Sequence, residues 1–143
     1  MKKVILVLSL ILTSLLSCSE PDDNPYEDSV CNQMTTVDNE KYKSTQSVGF
    51  SIENVRIIGD CLEVKIASTG CSGDTWKVDL VDAGRVSETA IEQRDLKMLL
   101  HNEELCEALF QKTFTFDLRP IRTTKKVVLL NLELWEDQIR YEY

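Results

Sequence analysis

The sequence predicts a mainly β fold: an antiparallel β-sandwich, or a small barrel, of about seven strands with at most one or two short helical turns. Three observations carry this. Short stretches of alternating apolar and polar residues recur through residues 50–143, the pattern of half-buried strands. Strand and helix patterns do not alternate along the chain, so a parallel βαβ sheet is not expected. One strand pair also fixes its own register. Ile52–Ile58 and Cys61–Ile66 flank Gly59-Asp60, and a Gly-X pair between alternating runs is a two-residue hairpin turn, with glycine supplying the positive φ. That turn sets Ile57 opposite Leu62 and Val55 opposite Val64 on a core face. It sets Arg56 opposite Glu63 on the other face, a favourable cross-strand pair.

The chain begins with Met1-Lys2-Lys3 and a 14-residue apolar run, Val4–Ser17. A short positive head before an apolar stretch is the pattern of a secretory signal, and a bilayer-spanning helix needs about 20 residues. The run ends Leu15-Leu16-Ser17-Cys18, which resembles the bacterial lipobox, with the bulky Leu16 its weakest match. The resemblance implies cleavage before Cys18 and acylation of that cysteine by diacylglycerol and an N-acyl chain such as palmitate. Two or more acyl chains hold a protein stably at a membrane, each buried methylene contributing about 0.8 kcal/mol. Residues 1–17 are thus read as a lipoprotein signal peptide, and Cys18 as the lipidation site.

Residues 18–30 follow as an acidic tether. They carry five acids, no base and two prolines, a composition that cannot build a core. An acidic stretch after the lipidated cysteine also resembles the export signals of Bacteroidota surface lipoproteins. A plain solvated spacer is the other reading.

Residues 31–143 form the predicted sandwich domain. After the hairpin comes a loop over Ser68–Asp74. Trp76–Asp82 alternates, with Trp76, Val78 and Leu80 inward, and Ala83-Gly84 reads as a turn. Residues 87–93 are ambiguous, since Thr89 and Glu92 fit a capping box. Leu96–Leu100 reads as a strand. Asn102 is placed to cap a short helix through Leu105, Cys106, Leu109 and Phe110. Thr113–Leu118 is a strand with Phe114 and Phe116 inward, ended by Pro120. Lys126–Trp135 and Ile139–Tyr143 complete the set.

The formal charge of −8 argues against nucleic acid, whose phosphates require clustered Lys and Arg. In an oxidising compartment Cys31, Cys61, Cys71 and Cys106 are expected to pair. Three connectivities are open. The hairpin register puts Cys61 on the outward face beside Ile58, where a partner from the N-terminal segment fits. This favours Cys31 with Cys61, and then Cys71 with Cys106. No Cys-x-x-Cys spacing suggests a metal or redox site, and His101, the one histidine, excludes a multi-histidine metal site. Gly70-Cys71-Ser72-Gly73 lacks the Gly-x-Ser-x-Gly spacing of a nucleophile elbow. Asp74, Asp79, Asp82, Glu103, Glu104 and Glu107 are candidates for a two-carboxylate hydrolase by residue type. Trp76, Trp135, Tyr141 and Tyr143 are candidates for a sugar- or peptide-binding platform.

Ile58–Val64, then Thr69-Gly70-Cys71 with Trp76, and later Cys106 with Phe116-Asp117-Leu118, resemble small uncharacterised Bacteroidota surface lipoproteins. They are distantly similar to the C-terminal β-sandwich of NigD-like proteins. The likeness covers residues 50–118 and lacks a histidine after the glycine–cysteine turn. It implies a sandwich and no activity. The expected protein is an outer-membrane lipoprotein, periplasm-facing or surface-exposed, serving as a non-catalytic binding or assembly module. Its partners would be the membrane, through the anchor, and an envelope protein or glycan, with no cofactor besides the covalent lipid. A small carboxylate-based hydrolase is the alternative.

Overall fold

The computed structural model describes residues 30–143. The signal peptide, Cys18 and all but the last residue of the tether lie outside the described residues. The chain order is β1 (Gln33–Met34), β2 (Thr36–Val37), α1 (Asn39–Ser44), β3 (Ser51–Ile58), β4 (Cys61–Gly70), β5 (Lys77–Ser87), β6 (Glu92–His101), β7 (Ala108–Asp117), a 3-10 turn (Arg119–Ile121), β8 (Val127–Leu132) and β9 (Ile139–Glu142). Two sheets, ordered β1-β7-β4-β3 and β2-β5-β6-β8-β9, form a sandwich. Leu62, Val64 and Phe116 of the first sheet meet Leu80, Met98 and Leu130 of the second in one buried core.

The β3–β4 hairpin has the predicted register. Ile57 lies opposite Leu62, Val55 opposite Val64 and Arg56 opposite Glu63. Gly59 takes a φ of 56° at the turn, and Arg56 Nε donates to Glu63 Oε1 at 2.6 Å. Trp76, Val78 and Leu80 are buried as expected, as is Phe116, while Phe114 packs partly buried against the core.

The sandwich is mixed where neighbouring strands are expected to be antiparallel. β1 with β7, β2 with β5 and β6 with β8 run parallel. The cause is crossing between sheets: β7 leaves β6 for the first sheet, and the chain returns as β8 beside β6. At the N-terminus the segment steps from one sheet to the other, pairing first with β7 and then with β5, with Thr35 buried at the step. The sequence reading has no element here. Asp38 then caps α1, its Oδ1 accepting from Lys41 N at 2.9 Å. Lys97 of β6 donates through Nζ to Tyr42 O and Thr45 O, each at 2.7 Å, fixing the end of that helix.

Four local expectations are corrected. β5 does not turn at Ala83-Gly84 but continues to Ser87 through an irregularity between Asp82 and Val86, where Gly84 has φ 69° and donates its N–H to Asp82 Oδ1. The predicted loop over Ser68–Asp74 starts late, because β4 stays paired with β7 as far as Gly70 opposite Ala108. The helix expected after Asn102 does not form. Asn102 Oδ1 does accept from Glu104 N at 2.9 Å, but its amide donates to Thr69 O, and Ala108 onward is strand. The strand expected over Lys126–Trp135 stops at Leu132, where Trp135 N donates to Leu132 O across a turn and Leu134 has φ 69°. Residues 87–93 resolve into a turn and the start of β6, with Thr89 Oγ1 bonded to Ile91 O rather than capping a helix.

Candidate functional site

Disulfides join Cys31 to Cys61 and Cys71 to Cys106, the two pairs favoured from sequence. The first ties the segment leading into β1 to the start of β4. The second closes one end of the sandwich, and the candidate acid Glu104 lies inside that closure. Its Oε2 accepts from the N–H groups of Cys71 at 2.6 Å, Ser72 at 3.1 Å and Gly73 at 2.9 Å, and its Oε1 accepts from the Thr75 hydroxyl at 2.9 Å. Successive N–H groups converging in this way form an anion nest. They hold the Glu104 carboxyl at about 2, with the Gly73 N–H the strongest cause. Gly70 is required beside it, since a Cβ there would meet Glu104 Oε2 and the Trp76 indole.

The remaining candidate acids are distributed over the fold. Asp74 lies near the nest and pairs with Lys112 at 2.5 Å, which holds its carboxyl below the usual range. Asp79 pairs with Lys41 at 2.8 Å. Asp82 is buried, with Arg94 donating through Nε at 2.8 Å and Nη2 at 2.6 Å. Glu103 meets His101 at 3.1 Å on the surface, and Glu107 is exposed. Glu103 and Glu107 share the β6–β7 loop with Glu104, whose carboxylate reaches across to the β4–β5 loop, so that Asp74 and Glu104 come near each other. A glycosidase general acid needs a raised pKa, and both of these are lowered. Among the described residues no group of three or more His, Cys, Asp or Glu is placed to hold a metal ion.

The four platform aromatics do not share a face. Trp76 and Tyr141 belong to the core. Tyr141 Oη donates to Asp60 Oδ1 at 2.6 Å and accepts from Arg122 Nε at 3.0 Å. Tyr143 packs on Tyr141 with ring centres 4.7 Å apart and lies under the Arg122 guanidinium. Tyr143 lines an open cleft of about 370 Å³ with Lys126, Val127 and Glu142. Its hydroxyl is already bonded to Thr123 N and Lys125 O, and Glu142 is paired with Arg140.

Trp135 packs partly buried against the core, as Tyr143 does. It lines a second cleft, of about 310 Å³, with Ile52, Leu134, Glu136 and Asp137. The cleft lies where the start of β3, an edge strand of one sheet, meets the β8–β9 turn of the other. Leu134 is 51% exposed and sits in the left-handed region, costly for a residue with a Cβ. Such strain concentrates at functional positions. Glu136 and Asp137 belong to no ion pair among the described residues. Sequence reasoning singles out Trp135 alone of this group. Leu134 reads as part of the strand ending at Trp135, because no glycine marks the turn there, and Ile52 reads as the start of the hairpin.

No helix among the described residues is long and apolar enough to cross a membrane. No protein-family model matches the chain, and neither does any curated protein. Two solved structures are similar in fold. One is a protein of unknown function, DUF1344, from Bacteroides vulgatus ATCC 8482. It has 14% identity and a TM-score of 0.49 over 78% of this chain and 56% of that one. The other is a putative toxin-related protein from Parabacteroides distasonis ATCC 8503, at 15% identity and a TM-score of 0.50 over 78% of this chain and 59% of that one. The chain thus spans a little over half the length of each, and the second supports the sandwich fold and nothing beyond it.

Proposed function

We propose that this chain is a lipid-anchored envelope lipoprotein whose sandwich is a non-catalytic binding module, with the Trp135 cleft as its ligand seat. The anchor reading rests on Leu15-Leu16-Ser17-Cys18 behind a Lys-Lys head and an apolar run. The binding reading rests on one observation: a strained, half-exposed Leu134 beside Trp135 and two carboxylates outside any ion pair. Backbone strain costs stability, and the two exposed carboxylates are free to take a ligand's donors.

The proposal places the protein on the outer membrane, either periplasm-facing or exported to the surface. Labelling cells with an alkyne analogue of palmitate tests the anchor. The expected result is a labelled, membrane-pelleting protein that loses both properties in Cys18→Ala. A mature Cys18→Ala protein, freed of residues 1–17, that still pellets would overturn the anchor. Proteinase K added to intact cells then separates the two sides of the membrane, since only a surface-exposed domain is digested.

A further inference from the structure

About half of the described acids are met by cations, among them Glu63 by Arg56, Asp82 by Arg94 and Glu133 by Lys97. Glu136 and Asp137 are not, although they are adjacent on a chain of formal charge −8. They sit at the mouth of a cleft whose other walls are the Trp135 ring and the aliphatic side chains of Ile52 and Leu134. No cation lines it. The volume, about 310 Å³, is at the lower limit of small-ligand pockets, roughly 300–1,000 Å³. That is room for one long side chain rather than a run of sugar rings.

An aliphatic wall, an aromatic face and two carboxylates are what a basic side chain meets when fully seated. Its methylene stem lies along apolar surface, its charge stands over the ring, and its N–H groups donate to carboxylate oxygens. We infer that the Trp135 cleft receives a lysine or arginine side chain of a partner polypeptide. This rests on the cleft reading proposed above and names its ligand class. A neutral glycan could stack on Trp135, but it would leave the paired carboxylates unneutralised.

The test uses the full lipoprotein in phosphatidylcholine nanodiscs. The probe is the terminally capped peptide Gly-Lys-Gly and its Nε-acetyl-lysine counterpart, followed by tryptophan fluorescence, with Trp135→Phe locating the signal. The expected result is saturable binding of Gly-Lys-Gly, weakened about tenfold or more by acetylation and, separately, by Glu136→Gln/Asp137→Asn. That double variant should keep its unfolding temperature, because both acids are surface groups without ion pairs. Equal binding of the acetylated peptide, or undiminished binding by the neutralised variant, overturns the inference. Maltohexaose run in parallel distinguishes the two proposals. If it saturates the Trp135 signal and the lysine peptide does not, the cation reading fails and the cleft reading stands. If neither saturates it, both fail.

Discussion

The disulfide-closed end of the sandwich and the open side at Trp135 both carry acids in tight turns, and they differ in what answers those acids. At the closed end Glu104 receives three backbone N–H groups and a hydroxyl, beside a disulfide. At the open side Glu136 and Asp137 receive no cation, and the turn that presents them holds Leu134 at a positive φ without a glycine. The first arrangement is complete within the chain. The second has acceptors and strain that internal contacts leave unanswered, beside a Trp135 ring that packs only partly on the core. The contrast teaches that a carboxylate in a loop is informative only through its partners. Glu104, a catalytic candidate by residue type, has its carboxylate filled by donors of its own chain, whereas the acids beside Trp135 meet no cation.

Three changes sharpen or break this contrast. The largest effect belongs to the closed end. Replacing Cys71 and Cys106 together by serine should cost about 2–4 kcal/mol, measured by urea unfolding. A loss near zero would mean that the nest holds that end alone. Next comes Glu104→Gln, which should lower the unfolding temperature at neutral pH. The Glu104 carboxyl is held at about 2, against an ordinary 4.5. Its contribution is therefore complete above the ordinary value and is lost as the pH falls through about 2. The stability gap between the native chain and Glu104→Gln should be flat above that range and should close between the two values. A gap that persists at the acid end would show that the nest does not favour the charged form. The smallest effect is at the open side. Leu134→Gly should cost nothing and should gain up to about 1 kcal/mol, because glycine removes the left-handed penalty. A loss greater than that would show Leu134 to be a packing residue rather than a strained one.

Much of the fold is written locally. The β3–β4 register follows from period-two alternation around Gly59, and that register in turn points Cys61 toward a partner outside the sheet. The errors arise where a local signal serves a distant contact. Gly84 looks like a turn glycine and is instead an irregularity in a continuing strand, where its N–H meets the buried Asp82. Asn102 makes the capping hydrogen bond that its type suggests, yet no helix follows, because Glu104 is drawn into a nest 29 to 33 residues away. The N-terminal strands β1 and β2 are two residues each, too short for any period. The parallel pairings depend on which sheet the chain enters next, a choice made by packing. At the candidate site Trp135 is visible by type, while Ile52 reaches the cleft only through the tertiary fold.

The Cys31–Cys61 disulfide has a mechanical consequence. Tension applied to the chain ahead of residue 31 would pass through a covalent bond into β4, an interior strand flanked by β3 and β7. The weak two-residue pairings of β1 and β2 lie beyond that junction and are shielded from the load. If Cys18 anchors the chain and the Trp135 cleft grips a partner at Ile52, the load between them would be carried along the backbone of β3 and its turn, from Ile52 to Cys61, and would bypass the pairings of β1 and β2.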